Sequence, residues 1–471
     1  MAEQQAAGVM ASARVAAGDK LTFGTKFSYG MGDFASQLMW TLASSYLVLF
    51  YTDNVGLAAG AVGVLMLIAR VADALFDPLL GAFAERHPTK WGRFRPWLLF
   101  ASPILAISVI LTFMTIPVGD TGKLIWAGAS YLFMGFMYSA VNLPYGALST
   151  VMTRDPDERV SLNSFRMIGT NLGAVVLSAF TMPLIYLFSG YGDGKTTNVM
   201  GYTITAGIMA VVAVPIFWIV FANCKEVIQP ELSETKVPLK TTLKVVLSNR
   251  PLMLVAAALF LVLGGLFGRL AVAVYYYIYL MHAYALIAPL MMLPSIAGAI
   301  GIALFARIAK RIGKKKTIVI SMIVTALPTI ILFFVDPSNV PMVFVLTAFY
   351  GLGNFAAPVI MSMVPDSIDY AEDKTGVRSD GTAYAAVSLA TKIASAVGAA
   401  LAAILLGAFG YVANAQEQTA MAATGINLTV NIVPAIFSLL AIIPVLAYPI
   451  TENKYEEIRA RLAAKHAAVQ A

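Results

Sequence analysis

The stretch DALFDPLLGAFAERHPTKWGRFRPW, residues 73–97, joins two long apolar segments through a short loop rich in arginine and lysine. An apolar segment of roughly 20 residues is long enough to cross a lipid bilayer as a helix. Of the 471 residues in the chain, 59% are hydrophobic and only 12% are charged. Soluble proteins carry about twice that charged fraction. The sequence therefore predicts an all-α, multi-pass protein of the cell membrane.

Twelve apolar segments of this kind follow one another, six before and six after a central loop rich in Lys, Glu and Pro. They cover residues 27–51, 58–84, 97–118, 124–150, 164–188, 201–223, 251–280, 284–307, 317–335, 341–364, 382–410 and 427–450. The predicted fold is twelve transmembrane helices in two six-helix bundles, at 27–223 and 251–450, joined by the loop 224–250. Tails at 1–26 and 451–471 flank the bundles, and the first tail lacks the apolar core of a signal peptide.

Basic residues alternate between the two ends of these segments. The loops at 85–96, 224–250 and 306–316 are basic, whereas the loops on the other side hold only Lys123 and Lys195. The positive-inside rule predicts that the basic loops and both termini are cytosolic. The net charge of +7 therefore reflects membrane topology, and we expect no nucleic-acid partner.

The charged loops also repeat along the chain. The basic loop after the second segment recurs after the eighth, and the mixed-charge loop at 151–167 has a counterpart at 364–384. Such duplication is typical of transporters whose halves rock around a site near the middle of the membrane. The single cysteine, Cys224, excludes an intramolecular disulfide and a thiolate metal cluster.

Two carboxylates lie where the second predicted span crosses the middle of the bilayer. Asp73 and Asp77 are four residues apart, on one helix face, and Asp73 lies about 18 Å from the cytosolic end. Two such acids share a proton, bind a cation or pair with a base. Pro78 cannot donate to the carbonyl of Ala74, which leaves a third oxygen for a monovalent cation. The alternative is an ion pair between Arg70 and Asp73, which does not account for Asp77.

Two further cationic side chains fall inside predicted spans. Lys392 is deep in the eleventh span, where a buried ammonium needs a carboxylate, and the Asp73 and Asp77 pair is the candidate partner. The alternative is a lysine that reaches the interface. Arg269, in the seventh span, is followed by tyrosines within 275–279. Together they form either the lining of a sugar cavity or an aromatic belt at the membrane surface.

Polar side chains of the first, fourth and fifth spans are the remaining candidates. Arg166 lies at the start of the fifth span. It is predicted either to bind a hydroxylated or anionic ligand through its guanidinium or to anchor the span at the cytosolic surface. Asp33 and Gln37 share one face, and Ser139 and Asn142 lie together in the fourth span. Both pairs suit hydrogen bonds to solute hydroxyls, or else hydrogen bonds between helices.

The small residues of SAVGAALAAILLGAFG, residues 395–410, predict close helix packing rather than a site.

Four stretches of the chain resemble one transporter family. They are YGMGDFASQLMWTLASSYLVLFYTDNVGL (29–57), DALFDPLLGAFAERHPTKWGRFRPW (73–97), NLPYGALSTVMTRDPDERVSLNSFRM (142–167) and PDSIDYAEDKTGVRSDGTAYAAVSLATK (365–392). The family is that of the glycoside–pentoside–hexuronide:cation symporters, within the major facilitator superfamily. The resemblance extends over about residues 27–450. It implies the major facilitator fold and symport of a sugar with Na⁺ or H⁺.

The resemblance also implies roles for individual residues. Asp73 and Asp77 match the paired cation-binding acids, and would be the metal ligands if the coupling ion is Na⁺. The predicted cation-binding residues are Asp73, Asp77, Ser139 and Asn142, and the predicted substrate-binding residues are Asp33, Gln37, Asn142, Arg166, Arg269, Ser388 and Lys392. No organic cofactor is expected, and the predicted partners are a small solute, a monovalent cation and membrane lipid, with the protein acting as a monomer.

Three positions depart from the pattern of galactoside-transporting members of the family. Gln37 and Asn142 stand where those members use acids, and Gly146 stands where they stack an aromatic ring. Without these acids, the resemblance favours another glycoside, a pentoside or an anionic hexuronide. Some animal relatives of the family handle lysolipids, so a transporter of a non-sugar solute is an alternative.

A membrane-embedded enzyme is the main alternative class. The spacing of Asp73 and Asp77 and the stretch DSIDYAED (366–373) are similar to aspartate motifs of membrane prenyltransferases, which bind Mg²⁺ and a diphosphate. Mg²⁺ keeps several waters and prefers a hydrated mouth. The acids of the second stretch suit such a mouth, whereas Asp73 in the middle of the bilayer does not. A sensor or scaffold that binds without flux is a third possibility. The sequence favours a transporter that is not an enzyme.

Overall fold

A computed structural model of the protein describes residues 20–86, 89–153, 155–227, 248–375, 380–415 and 417–470. Regular structure in these residues is helical, apart from one isolated bridge between Thr89 and Gly92. Residues 1–19 of the predicted tail and 228–247 of the central loop lie outside the described part of the chain.

The helices follow the predicted apolar segments. In chain order they are α1 (Phe23–Leu49), α2 (Ala59–Arg86), α3 (Arg95–Thr112), α4 (Asp120–Met152), α5 (Pro156–Ser189), α6 (Val199–Asn223), α7 (Arg250–Tyr275), α8 (Ile287–Ile312), α9 (Lys314–Phe334), α10 (Val340–Gly353), α11 (Ala356–Met361), α12 (Met363–Thr375), α13 (Asp380–Ala408), α14 (Ala420–Asn427), α15 (Val433–Ala447) and α16 (Glu452–Gln470). Five-residue π turns extend α1 (Phe50–Asn54) and α7 (Tyr276–Leu280), and a third joins α14 to α15 (Leu428–Ile432).

Eleven stretches within the described residues are long and apolar enough to cross a membrane. Helix α1, which contains the first predicted span at 27–51, is not among them. Its sequence carries Asp33, Gln37 and several serines, threonines and glycines, which lower its hydropathy. The chain is thus a polytopic helical protein, while the count of twelve spans and the cytosolic termini stay predictions.

The tenth predicted span, 341–364, is broken rather than continuous. Helix α10 ends at Gly353, and α11 begins at Ala356. Pro358, which has no N–H to donate to the carbonyl of Asn354, lies in the first turn of α11, a position that proline tolerates. The hydroxyl of Ser321 donates to the carbonyl of Gly353 and satisfies one helix end.

The chain forms two compact units. The first falls within Met1–Ala43, Leu75–Val118 and Ile125–Ser233, and the second within Ser44–Ala74, Gly119–Leu124 and Glu234–Ala471. The buried apolar core of the second unit comes from α7, α9, α11, α12, α13, α15 and α16.

In the first unit, glycines bring α1 and α5 into backbone contact. A Cβ atom at Gly169 would lie 2.0 Å from the carbonyl oxygen of Gly30, and one at Gly173 would lie 2.8 Å from that of Phe34. Only glycine fits such spacings, so these positions fix which faces of α1 and α5 meet.

In the second unit, small residues of α13 contact α7 and α2. A Cβ atom at Gly398 would lie 2.1 Å from the carbonyl oxygen of Gly264, and one at Gly63 would lie 2.7 Å from that of Ala400. The close packing predicted for residues 395–410 is confirmed.

Candidate functional site

Asp73 lies at the middle of α2, and its side chain is buried between two cations. The Nζ of Lys392 lies 3.5 Å from Asp73 Oδ2, and a guanidinium nitrogen of Arg70 lies 3.8 Å from the same oxygen. All three residues belong to the second unit. Both distances exceed the roughly 2.7–2.9 Å of a tight charge-assisted hydrogen bond. Asp73 is therefore neutralised by two looser ion pairs, and both partners that the sequence suggests are present.

Helix packing explains why Lys392 reaches Asp73. A Cβ at Gly407 would lie 3.0 Å from the backbone nitrogen of Gly60, and Ala400 lies against Gly63. As α2 advances from Gly60 towards Asp73, its neighbours on α13 run backwards from Gly407 to Lys392. The two helices are therefore antiparallel along this contact, and small residues near one end place the lysine beside the carboxylate.

Asp77 follows one turn later on α2, in the first unit. Because α2 is continuous from Ala59 to Arg86, the two carboxylates share a helix face as predicted. The side chain of Pro78 lies outside the described side chains, so the third oxygen at Ala74 stays a prediction. Asp73 and Asp77 as a cation site are likewise a prediction.

Ser139 and Asn142 lie on α4 in the first unit, and Ser388 lies on α13, one turn before Lys392. Ser139 is buried, whereas Ser388 is exposed. The Nδ2 of Asn142 donates to the hydroxyl of Tyr138 over 2.6 Å. The predicted ligand roles of these three residues stay predictions.

Asp33 on α1 forms an ion pair with Arg166 on α5. The guanidinium donates from Nε to Asp33 Oδ2 over 2.8 Å, and the second terminal nitrogen lies 3.5 Å from Oδ1. The hydroxyl of Thr170 donates to Oδ2 over 3.3 Å. The guanidinium carbon also lies 5.1 Å from the centre of the Tyr145 ring. The pair is partly accessible, because 27% of the Arg166 side chain and 10% of the Asp33 side chain are exposed.

Arg166 lies deeper along its helix than the sequence predicts. Helix α5 begins at Pro156 and not at residue 164, so Arg166 lies almost three turns into it. The helix therefore includes the polar residues before the predicted start at residue 164. A position inside the helix, facing α1, is what allows Arg166 to reach Asp33.

An aromatic pair lies between the predicted polar residues of α1 and α4. The rings of Trp40 and Tyr138 stack with centres 4.6 Å apart, and the Tyr138 hydroxyl accepts from Asn142. Gln37, one turn before Trp40, accepts a hydrogen bond from Thr41 over 2.7 Å. Sequence reasoning missed Trp40 and Tyr138. The helical spacing from Trp40 to Gln37 and from Tyr138 to Asn142 was the available signal.

Arg269 on α7 is buried and bound by the helices of its own unit. The guanidinium donates to the carbonyl of Val430 over 2.8 Å and to Asn431 Oδ1 over 2.9 Å. It also lies 4.4 Å from the centre of the Tyr350 ring. Among the described residues no carboxylate lies within ion-pair distance of it. Its predicted contact with substrate stays a prediction.

The tyrosines after Arg269 are mostly inside the protein. Tyr275, Tyr276 and Tyr277 are at most 2% exposed, so they do not form a belt at the lipid surface.

The acids of the stretch 366–373 have protein partners. Asp366 pairs with Lys314 over 2.6 Å, and Asp369 accepts from the hydroxyl of Tyr455 over 2.9 Å. Asp373 pairs with Arg461 over 2.8 Å. In the described part of the chain, no group of three or more His, Cys, Asp or Glu side chains is arranged to hold a metal ion. These acids join α12 to α9 and α16, which is not the open Mg²⁺ mouth of a prenyltransferase.

Comparison with known sequences places the chain in a family. The model of the family described as MFS/sugar transport protein matches residues 28–452. The isoprimeverose transporter of Lactiplantibacillus pentosus is 37% identical over 94% of this chain and 91% of its own length. The glucuronide carrier protein homolog of Escherichia coli strain K12 is 30% identical over 93% of this chain and 95% of its own. A putative glycoside/cation symporter of the same strain is 29% identical, over 96% of this chain and 97% of its own.

Solved structures share the fold. The nucleoside transporter NupG, in a variant form, aligns with a TM-score of 0.62 and 14% identity over 90% of this chain and 99% of its own. A bacterial homologue of the human lysosomal transporter Spinster aligns with a TM-score of 0.60 and 14% identity, over 90% of this chain and 95% of its own. The family and the neighbours are membrane transporters, which are not enzymes. The chain therefore belongs to the MFS/sugar transport family, with the predicted resemblance to the glycoside–pentoside–hexuronide:cation symporters confirmed, and is a multi-pass cell-membrane transporter of sugar-type solutes.

Proposed function

We propose that the protein is a symporter that carries a sugar or glycoside across the cell membrane together with Na⁺ or H⁺. The observation that carries this proposal is the position of Asp73, a buried carboxylate at the middle of α2 within ion-pair distance of Lys392 and Arg70. Ionisable groups at such depth are costly and mark ion or proton pathways. Relatives named as symporters support the same function.

In this proposal, cation binding competes with Lys392 for Asp73. A Na⁺ or a proton at Asp73 and Asp77 neutralises the carboxylates and releases the ammonium. The released lysine is then free to bind a solute hydroxyl or carboxylate. Because coupling between two bound ligands is reciprocal, a solute that binds the released lysine raises the affinity of the cation by the same factor.

The solute would bind at the polar and aromatic face of α1, α4 and α5. The guanidinium of Arg166 faces Asp33 with Nε and one terminal nitrogen, and its remaining N–H donors would bind solute hydroxyls or a carboxylate. Gln37 and Asn142 would bind further hydroxyls, and Trp40 with Tyr138 would contact the apolar face of a sugar ring. Uncharged Gln37 and Asn142 tolerate an anionic solute better than acids would.

Alternating access would follow from movement of residues 27–223 against residues 251–450. Duplicated six-helix units of transporters support such motion.

Uptake into proteoliposomes tests this function. The purified protein is supplied with labelled isoprimeverose, a glucuronide, a pentoside or 2,3-dihydroxypropane-1-sulfonate, under an imposed Na⁺ or H⁺ gradient. We expect accumulation of one solute class with one cation gradient, and its loss in Asp73→Asn and Asp77→Asn. Asp120→Asn, at an acid with a 91% exposed side chain, is the matched control. Accumulation by the Asp73→Asn and Asp77→Asn variants at the control rate would rule out this coupling site.

A further inference from the structure

Asp53 is the centre of a hydrogen-bond network that neither the solute site nor the cation site uses. It lies in the π turn that extends α1. Its Oδ1 accepts from the hydroxyls of Thr52 and Tyr411, both over 2.6 Å, and its Oδ2 accepts from the hydroxyl of Tyr279. Three hydroxyl donors on one carboxylate make a strong, directional contact.

Further bonds join the same chain segments. The Nδ2 of Asn414 donates to the carbonyl of Asp53 over 2.5 Å, and its backbone N–H donates to the Tyr279 hydroxyl over 3.1 Å. Asn414 has a φ of +56°, a left-handed conformation that asparagine adopts more readily than most residues. The hydroxyls of Thr52 and Tyr275 lie 2.7 Å apart. The network therefore ties the end of α1 to the end of α7 and to the segment after α13.

The two helix ends that meet here are built alike. Helix α1 and helix α7, the first helix of each predicted bundle, both continue into a five-residue π turn. π turns are rare and are frequent at functional sites. Asp53 lies in one turn and Tyr279 in the other, so corresponding positions of the duplicated halves supply the acceptor and a donor.

The network lies at the ends of the helices that are remote from the basic loops. Residues 52–57 and 412–419 are poor in Lys and Arg, which places them on the outer side by the positive-inside rule. All the residues of the network belong to the second compact unit. Their contacts nevertheless join residues from the predicted bundles 27–223 and 251–450.

We propose that Asp53 is a gating residue, the shared acceptor that holds the outer end of the transport path closed until the network breaks. This inference rests on the proposed alternating-access function. Asp53 acts on transport through Tyr279 and Tyr411 and does not touch the solute. A carboxylate suits this task because it accepts from several hydroxyls at once in the closed state. When the gate opens, water replaces those donors at small cost, so the contact is strong but reversible.

Distance measurements between two spin labels test the gate without any solute. The single cysteine is removed by Cys224→Ala, and labels are placed at Ala58→Cys and Ala420→Cys, two exposed positions beside the joined segments. We expect mainly a short distance when Asp53 is intact. Asp53→Ala should lower the ratio of short to long distances by about tenfold or more, because it removes hydrogen bonds to a charged acceptor.

Two milder variants guard against a folding defect. Tyr411→Phe removes one hydroxyl and keeps the ring, so it should shift the same ratio by a smaller factor. Asp53→Asn removes the charge but keeps one acceptor oxygen, so its ratio of short to long distances should lie above that of Asp53→Ala. Asp120→Asn removes an exposed acid on the same outer side and should change nothing.

The outcomes separate the gate from the proposed function. Unchanged distances in both Asp53→Ala and Tyr411→Phe overturn the gate, as does an equal shift in Asp120→Asn. Shifted distances together with a failure of every uptake assay keep the gate and overturn the proposed symport. Normal coupled uptake by the wild-type protein, together with unshifted distances in Asp53→Ala and Tyr411→Phe, keeps the proposed symport and overturns the gate.

Discussion

The ammonium of Lys392 on α13 lies 3.5 Å from the carboxylate of Asp73 on α2, at the middle of that helix. Arg70 lies 3.8 Å from the same carboxylate oxygen, so two cations face one buried acid. A cation that binds to this carboxylate oxygen must compete with both ion pairs. Cation binding at Asp73 and the ion pair between Lys392 and Asp73 therefore exclude each other in the proposed mechanism.

Replacing this lysine should strengthen cation binding and abolish accumulation. In Lys392→Met, Asp73 loses its ion pair with the ammonium, so the affinity for Na⁺ or H⁺ should rise by about tenfold or more. Uptake against a gradient should fall to background, because the variant has no ammonium at this position to bind the solute. Na⁺ titration by calorimetry, followed by uptake into proteoliposomes, measures both effects. Lys123→Met, at a lysine beside the exposed Asp120, is the control. Unchanged Na⁺ and H⁺ affinity in Lys392→Met would refute the competition.

Solute binding at the pair of Asp33 and Arg166 should depend on the geometry of the guanidinium and not on its charge alone. Arg166→Lys keeps the charge but loses the two-nitrogen contact, so the KM for the transported solute should rise by about tenfold or more. Expression and thermal stability should change little, since the charge is retained beside Asp33. The control is Arg461→Lys, in an exposed ion pair with Asp373. A surface pair of this kind contributes at most about 1 kcal/mol. Equal KM values for the two variants would argue against a role of Arg166 in solute binding.

The sequence predicts some of these contacts and not others. A buried lysine needs a carboxylate, and the only acids predicted in the middle of a span are Asp73 and Asp77, so chemistry alone pairs Lys392 with them. The sequence also names Asp33 and Arg166 as solute residues, yet it does not pair them. Which faces of α1 and α5 meet depends on the approach of Gly169 to Gly30, and that approach has no periodic signal.

The network around Asp53 could not be predicted from patterns in the sequence. The stretch 52–57 reads as a plain loop, because a π turn shifts the helical phase by one residue and leaves no compositional mark. The partners of Asp53, Tyr279 and Tyr411, are 226 and 358 residues away from it along the chain.

The contact between α1 and α5 offers a test of how packing positions the solute site. Gly169→Ala would place a Cβ 2.0 Å from the carbonyl oxygen of Gly30, so α5 must move away from α1. We expect a stability loss of about 1–3 kcal/mol and a weaker contact between Asp33 and Arg166. Gly207→Ala on α6 is the matched control, because a Cβ there would lie 3.9 Å from its nearest neighbour, an ordinary contact. Helix propensity predicts that this control is neutral or stabilising by up to about 1 kcal/mol. Thermal unfolding measures the stability loss, and the KM of uptake measures the effect on the solute site, in the variant and in the control. A tolerated Gly169→Ala would mean that the two helices do not depend on this approach.

The outer gate should respond to pH in one direction. Burial raises the pKa of the Asp53 carboxyl, although hydrogen bonds from Thr52, Tyr279 and Tyr411 oppose the rise. In the open state the carboxyl is hydrated and its pKa returns to about 3.9. A group whose pKa is higher in the closed state binds its proton preferentially there, so acid favours closure.

The closed population should therefore grow as the pH falls through the raised pKa, and the growth should stop below about pH 3.9. The other titratable groups that face Asp53 are Tyr279 and Tyr411, with Tyr275 one contact further. Burial also raises the pKa of Tyr411, so its phenol stays neutral throughout that range. On the neighbouring segment, Lys123 donates to the carbonyl of Val55. The spin-label distances between pH 4 and about pH 8 measure the effect, and Asp53→Asn should abolish it. A pH response of equal size in Asp53→Asn would assign the titration to another group, and Asp120→Asn would then show whether the exposed acid on that side carries it.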